Sequence, residues 1–468
     1  MSLPEQTEVL VIGGGPGGYV AAIRAVQLDM GATLVEADAV GGTCLNYGCI
    51  PSKALLSAVG SVHDVNNRES MGIYADPYID WDELLGWESS VVNQLTGGID
   101  HLCRAAGVEL VEGRARFVDD NVAAVSDPDG DEGSIEFDHA VIATGSRPIK
   151  LPAFPFENDR VMTSRDVFSI DAIPRSLLIV GAGYIGLELA TLFSKLGTAV
   201  TVVELEDDAL PGWDEELRRT IRSHVESLGV EFAFNELATA CEPGSDSVRV
   251  TTELPNEDET EYTADRVVVA VGRQPVTDTV SIEELDIDLT SSGFIETDDA
   301  CRTNRDHVYA VGDVAGEPML AHKASAEGLV AAETIAGEDA SVSDHVIPSV
   351  VFTDPEVATV GRSETEAASD GFDPATGRMP FNASGRALAA GKPEGFVRVV
   401  VDHPTGTILG AQIVGDHASE LIGELTLAVT AGLTASEVAR TVHAHPTLAE
   451  SVMEACAAAV GEAIHTAN

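Results

Sequence analysis

The first part of the chain is built from short, unbroken apolar runs that end at glycine. Val9-Leu10-Val11-Ile12 flows into Gly13-Gly14-Gly15-Pro16-Gly17-Gly18 and then into Tyr19-Val20-Ala21-Ala22-Ile23-Arg24-Ala25. That order reads as strand, tight turn and helix. A second strand, Thr33-Leu34-Val35, ends at Glu36. The same grammar returns at Leu177-Leu178-Ile179-Val180, followed by Gly181-Ala182-Gly183-Tyr184-Ile185-Gly186, a helix through Leu196, and Val200-Thr201-Val202-Val203 ending at Glu204. The repetition reaches the far edges: Asp138 to Pro148, with its Ala143-Thr144-Gly145, is mirrored by Asp265 to Pro275, with its Ala270-Val271-Gly272. An internal duplication accounts for both. Between the mirrored edges lie Asp127-Pro128-Asp129-Gly130-Asp131-Glu132-Gly133 and Pro255-Asn256-Glu257-Asp258-Glu259, which predict exposed connections between antiparallel strands.

After Pro275 comes a linking region with Val308-Tyr309-Ala310-Val311-Gly312-Asp313, again a strand running into glycine. From about Ile347 valine-rich strands such as Phe396-Val397-Arg398-Val399-Val400-Val401 give way to alanine-rich helical stretches. The pattern predicts an α/β protein with two Rossmann-like dinucleotide-binding domains and a separate C-terminal α+β domain. A length of 468 residues suits three or four such pieces.

Charge narrows the partners. There are 77 acidic and 27 basic residues, and 27 − 77 gives the net charge of −50, which excludes nucleic acid as a natural ligand. The carboxylates are spread along the whole chain, while lysine is reduced to Lys53, Lys150, Lys195, Lys323 and Lys392. This reads as a surface adapted to a salt-rich cytoplasm, as in a halophile, where at about 1 M salt the screening length falls to roughly 3 Å. The amino terminus carries no n-region, apolar h-region and cleavage site in sequence, and no apolar run is long enough to span a bilayer. Cys103, Cys241, Cys301 and Cys456 stand apart from one another, with no zinc spacing among them. The expectation is a soluble, cytoplasmic protein without metal.

Each Gly-x-Gly-x-x-Gly follows a strand, opens a helix and has an acid after the second strand to accept from a ribose hydroxyl. Unpaired N–H groups at the helix start face the pyrophosphate. Glu204 would repel the extra phosphate of NADP, and Leu205-Glu206 supplies no arginine for it, so the second copy points to NAD.

Cys44 and Cys49 lie in Gly41-Gly42-Thr43-Cys44-Leu45-Asn46-Tyr47-Gly48-Cys49-Ile50-Pro51-Ser52-Lys53. Cysteines this close in a glycine-bearing segment can meet disulfide geometry, yet the short loop they close would constrain the unfolded chain little. A reversible redox pair is the better reading. Pro51 suits the first turn of a helix, which places Cys49 near a helix start that favours its thiolate, with Lys53 one turn on. Near the end stands His443-Ala444-His445-Pro446-Thr447-Leu448-Ala449-Glu450. Thr447 and Glu450 have capping-box spacing, and Glu450 can also orient His445 as a base for a thiol; both roles can coexist.

With these motifs in order, the chain resembles the dihydrolipoamide dehydrogenase branch of the flavoprotein pyridine nucleotide-disulfide oxidoreductase family over essentially its whole length. Cys44-Leu45-Asn46-Tyr47-Gly48-Cys49-Ile50-Pro51-Ser52-Lys53 is similar to that branch's signature, although valine is commoner than tyrosine at position 47. The resemblance implies an FAD-binding domain over 1–149 with the redox disulfide, an NAD-binding domain over 150–275, a region over 276–346 completing the FAD domain, and a dimerisation domain over 347–468. It implies FAD at Gly13, Gly15, Gly18, Glu36, Lys53, Gly145 and Asp313, and NAD at Gly181, Gly183, Gly186, Glu204 and Gly272. Cys44 would be the interchange thiol and Cys49 the flavin-facing one. A homodimer would bring His445 and Glu450 to the other subunit's disulfide, with Glu188 placed for Lys53. The implied reaction oxidises dihydrolipoyl groups of a 2-oxoacid dehydrogenase complex or a glycine cleavage system and forms NADH. Reductases of glutathione or a related thiol remain the rival, opposed by Glu204 and Ser52. The tail Glu462-Ala463-Ile464-His465-Thr466-Ala467-Asn468 lacks a mercuric reductase's cysteine pair, and a non-catalytic nucleotide-sensing subunit would leave a gap among the site residues that the sequence does not show.

The charge generates a test. Denaturant midpoints should rise steeply between about 0.1 M and 2 M salt as self-repulsion is screened; full stability in dilute buffer would remove the halophilic reading.

Overall fold

The computed structural model describes residues 3–466. The chain divides into two compact units. One holds the residues up to Leu151, with Met162–Ala172 and Val271–His345; the other holds Pro152–Val161, Ile173–Ala270 and everything from Val346 on.

In the first unit the strand Gln6–Ile12 lies parallel between Ala32–Glu36 and Glu132–Ile142, with Val11 opposite both Leu34 and Val141. Glu109–Glu112 extends the sheet beyond Ala32–Glu36, and Val308–Ala310 runs parallel to Glu132–Ile142. The unbroken apolar run has a direct cause, since both faces of the strand are covered. Leu10 and Ile12 pack with Phe117, Ile135 and Phe137 on one side. Val9 and Val11 pack with Ala21, Ala22, Ala25 and Ala331 on the other. The helices Pro16–Gln27 and Ala321–Ile335 meet so closely there that a Cβ on Gly328 would stand 2.4 Å from the Gly17 carbonyl oxygen.

The first acidic segment does join antiparallel strands, Val122–Ser126 and Glu132–Ile142, but the connection is shorter than expected, because Glu132 and Gly133 already pair with Ser126 and Val125. The mirrored edges of the duplication meet each other: Ser146–Pro148 pairs antiparallel with Arg273–Pro275. A helix of 26 residues, Trp81–Ala106, was not evident in the sequence pattern. It buries only Trp81, Glu88 and Cys103, so its apolar stripe is thin.

The second unit repeats the parallel core with Ser176–Val180 between Ala199–Glu204 and Arg266–Val269. The second acidic turn joins Val248–Glu253 to Glu259–Ala264 in an antiparallel trio with Leu237–Pro243. From Ser349 onward an antiparallel sheet runs in the order Ser349–Val351, Glu356–Gly361, Ile408–Gly415, Phe396–Asp402, Pro374–Pro380. Its core includes Val397, Val399, Ala411 and Ile413, packed with Ile422 and Leu425 of Ala418–Thr430 and with Val452 and Ala455 of Glu450–Ala459. This is the α+β domain the composition change predicts. Among the described residues no helix is long and apolar enough to cross a membrane.

Gly328→Ala should destabilise the chain by about 1–3 kcal/mol, because the neighbour it meets is backbone and cannot swing aside. Chemical denaturation in high salt reads this directly.

Candidate active site

The two fingerprint turns share one design. Gly13 and Gly181 take φ values of +105° and +107°, which side-chain-bearing residues rarely adopt. A Cβ on Gly18 or Gly186 would lie 1.8 or 2.0 Å from the carbonyl oxygen of Gly13 or Gly181, so the turn closes only on glycine. Gly15 and Gly183 have nothing within 4 Å of an added Cβ, and each precedes a helix whose start has no side-chain cap. Uncapped N–H groups therefore face open space, which suits a pyrophosphate. The acids repeat as well. Glu36 accepts from the N–H of Gly14 at 2.5 Å and of Asp38 at 2.8 Å, and Glu204 accepts from Ala182 at 2.6 Å and Glu206 at 3.0 Å. A cavity of about 200 Å³ opens beside Glu36, Asp38, Val40 and Arg104, next to the first fingerprint. The residues present fit one dinucleotide at each copy.

The cysteine segment is laid onto the first turn. The Gly41 N–H donates to the Gly14 carbonyl at 2.8 Å, and a Cβ on Gly42 would come within 2.7 Å of the Gly15 Cα. The short helix Gly42–Tyr47 then stops at Gly48, and Cys49–Asn66 begins at once, with Pro51 in its first turn. The helix break brings Cys44, half-buried, and Cys49, exposed, into hydrogen-bond contact as two thiols. That contact, followed by burial and the charge of Cys49, raises the Cys44 thiol well above its ordinary value. The Lys53 charge acts the other way, so Lys53 stands within electrostatic reach of the pair, as its i+4 spacing from Cys49 predicts.

Gly145 (φ +70°) has open space at its Cα, and its carbonyl accepts from the Val276 N–H at 2.9 Å. Asp313 accepts a short hydrogen bond from the Ser146 hydroxyl. Arg273 in turn donates from Nε to Ser146 Oγ and from Nη2 to the Ser146 carbonyl, both at 2.7 Å, and lies 4.0 Å from Asp313. Beneath the Gly312–Gly316 loop is a buried ion pair, Lys323 Nζ to Glu327 Oε1 at 2.8 Å, with side chains 9% and 8% exposed. Glu327 Oε2 accepts the Gly312 N–H at 2.7 Å and Lys323 donates to the Gly316 carbonyl at 3.1 Å. Sequence reasoning missed Ser146, Arg273, Lys323 and Glu327. The signal available was lysine itself: so scarce a residue, four before a glutamate on a helix, marks a pair.

On the second copy Gly181, Gly183, Gly186 and Glu204 share one turn, while Gly272 (φ +127°) belongs to the first unit, where its carbonyl accepts from Ile149 at 3.1 Å. Glu188 accepts from the Phe352 N–H at 3.0 Å.

His445 Nδ1 donates to Glu450 Oε1 at 2.9 Å, and Glu450 Oε2 accepts the Thr447 N–H at 2.8 Å. The Thr447 N–H and then His445 hold the Glu450 carboxyl below the usual carboxylate range. The capping box is only half made, because the Thr447 hydroxyl donates to the Ala444 carbonyl at 2.7 Å and the helix starts at Glu450 behind Ala449. Glu450 therefore orients the imidazole more than it caps the helix. His443 Nε2 faces Glu424 at 2.9 Å, so the two imidazoles take separate carboxylates and do not converge. Residues 467 and 468 of the C-terminal tail lie outside the described residues.

A family model described as pyridine nucleotide-disulphide oxidoreductase matches residues 7–328, and that family's dimerisation domain matches residues 347–456. The chain is 54% identical to a dihydrolipoyl dehydrogenase of Haloferax volcanii, over 99% of this chain and 98% of the relative. Identity is 52% to that of Halobacterium salinarum, over 99% and 98%, and 46% to that of Geobacillus stearothermophilus, over 98% and 97%. Among solved structures, LpdA from Mycobacterium tuberculosis superposes with a TM-score of 0.90 at 27% identity, covering 96% of this chain and 99% of that one.

The pair under the Gly312–Gly316 loop yields a prediction. Lys323→Met leaves the Glu327 charge buried without its cation and should cost about 3–5 kcal/mol. Pairing it with Glu327→Gln should recover much of that loss, as a double-mutant cycle in thermal or denaturant unfolding would show.

Proposed function

The chain belongs to the pyridine nucleotide-disulphide oxidoreductase family, and from that membership we propose that it oxidises dihydrolipoyl groups to lipoyl groups with NAD as the final acceptor. The observation that carries the reading is the Cys44–Cys49 contact at a helix break laid directly on the first fingerprint turn. Gly13, Gly15, Gly18 and Glu36, with Lys53, Gly145 and Asp313, would hold FAD at the first turn; Gly181, Gly183, Gly186 and Glu204 would hold NAD at the second.

In the oxidised chain Cys44 and Cys49 form a disulfide. His445, held by Glu450 through Nδ1, takes a proton at Nε2 from one substrate thiol. The resulting thiolate attacks Cys44 Sγ, forming a mixed disulfide and releasing Cys49 as thiolate. The second substrate thiol displaces Cys44, which closes the lipoyl ring and leaves the chain as a dithiol. FAD held at the first turn would supply a two-electron acceptor for that dithiol and a hydride donor for NAD. Lys53 balances thiolate charge next to the pair. A homodimer completes the site, since His445 and Glu450 lie in the dimerisation domain and serve the cysteines of the other copy. The protein works in a salt-rich cytoplasm on the lipoyl-bearing protein of a 2-oxoacid dehydrogenase complex or a glycine cleavage system.

The test is NADH formation by purified protein in molar salt. Dihydrolipoamide should support it and reduced glutathione should not; the reverse preference would replace this reading with its rival. Cys44→Ser and Cys49→Ser should abolish lipoamide turnover while the protein stays yellow. His445→Gln should lower kcat by about 10²–10⁴-fold with FAD retained.

A further inference from the structure

Tyr47 sits between the two cysteines, at the last position of the helix Gly42–Tyr47 and next to the break at Gly48. That helix has only six residues and buries none of them, so beyond the contact of Gly42 with the first turn neither propensity nor core burial holds it in place. Polar ties do. Asn46 donates to the carbonyls of Gly42 at 3.0 Å and Val40 at 3.2 Å, and accepts from the Thr96 hydroxyl at 3.3 Å. The end that adjoins the break depends on Tyr47. Its hydroxyl donates to Asp38 Oδ1 at 3.2 Å, and the Arg165 guanidinium lies 3.6 Å from the ring centroid. Arg165 closes the triangle by donating to Asp38 Oδ2 at 2.9 Å.

Both supports are themselves fixed. The Asp38 N–H is bound to Glu36, the acid of the first fingerprint. Arg165 precedes a turn pinned by Asp166, which accepts from both the N–H and the hydroxyl of Thr163 at 2.7 Å. A cation over an aromatic face gains about 0.5–1 kcal/mol at an exposed site, and an exposed ion pair alone gains less. Joined on three residues, they fix a position that neither would hold alone.

We propose that Tyr47, Arg165 and Asp38 form a clamp that holds Cys44 against Cys49 in the reduced chain and thereby sets the balance between dithiol and disulfide. The clamp residues are positioning residues, and the inference rests on the redox role given to the cysteines above. In the disulfide the covalent bond fixes residue 44 relative to residue 49. In the dithiol the backbone contacts of Gly41 and Gly42 with the first turn hold the start of the short helix, and the polar ties hold its end at Tyr47. Holding two thiols together raises their effective concentration and favours ring closure, so the clamp stabilises the disulfide relative to a loose dithiol. Loosening the clamp shifts the couple towards the dithiol.

The measurement equilibrates the FAD-loaded protein, in high salt, with mixtures of reduced and oxidised dithiothreitol and counts alkylated cysteines by mass. The reaction is exchange: oxidised dithiothreitol and the two protein thiols give reduced dithiothreitol and the Cys44–Cys49 disulfide. Tyr47→Val and Arg165→Gln should each lower the equilibrium constant for disulfide formation three- to tenfold, a tenfold change being about 30 mV for this two-electron couple. Tyr47→Phe keeps the ring under Arg165 and should shift it less than Tyr47→Val. Constants for Tyr47→Val and Arg165→Gln both within twofold of the unmodified protein, at matched FAD content and thermal stability, overturn the clamp alone. Absence of any reversible couple in the unmodified protein overturns both the clamp and the proposed function.

Discussion

One steric constraint organises the catalytic half of the molecule: the backbone at the first glycine turn must be approached from three sides at once. Gly18 closes the turn against Gly13, Gly42 presses on Gly15, and Gly328 presses on Gly17. A side chain at any of these positions would push apart the helix, the cysteine segment or the neighbouring helix. Because the contacts are backbone to backbone, the turn behaves as a rigid node from which strand, helix and redox segment depart in fixed directions. The placement of Cys44 and Cys49 follows from that node more than from any interaction of their own.

This explains which parts of the structure were legible in the sequence. The continuous apolar runs were readable because the strands are covered on both faces, and the glycine turns because only glycine fits their φ values and contacts. The duplication persists down to hydrogen bonds: Glu36 and Glu204 each accept from a turn N–H 22 residues earlier. The half-made capping box was not readable, since whether Thr447 turns its hydroxyl to the helix or back to Ala444 depends on the path of the preceding loop. Nor was Trp81–Ala106, whose exposed Trp87, Leu95 and Leu102 dilute a helical stripe. The support of Asp313 by Ser146 and Arg273 joins residues more than 120 positions apart through the pairing of two three-residue strands. No local pattern announces such a contact.

The carboxylate-rich composition also shows where cations are kept. Lys195 is almost fully buried and meets Asp354 at 2.5 Å, with Lys392 3.8 Å from the same carboxylate. Burial opposes ionisation of Asp354, yet Lys195 and then Lys392 hold its carboxyl below the ordinary range. Lys323 is sealed against Glu327, and Lys53 lies by the thiols. Exposed pairs such as Arg104 with Asp100 add little in water and less in molar salt. Four of the five lysines sit where screening is weakest or chemistry needs a charge, and the exposed cations, such as Arg104, Arg175 and Arg249, are mostly arginines.

The histidine and its carboxylate obey the same logic of placement. The His445 side chain is 80% exposed, so burial does not select its tautomer. Glu450 does: with Nδ1–H donating to that carboxylate, Nε2 is left as the acceptor a thiol proton requires. The arrangement lasts only while Glu450 is ionised. Its folded-state pKa is lowered, first by the Thr447 N–H and then by His445, so the stabilisation it brings is fully present above the ordinary carboxylate range and is lost only as pH falls through that depressed value. Throughout the neutral range Glu450 is ionised, so the imidazole keeps the orientation that this carboxylate gives it. The Thr447 N–H supplies the half of the capping box that keeps the orienting carboxylate charged, while the hydroxyl that would have capped the helix turns to Ala444.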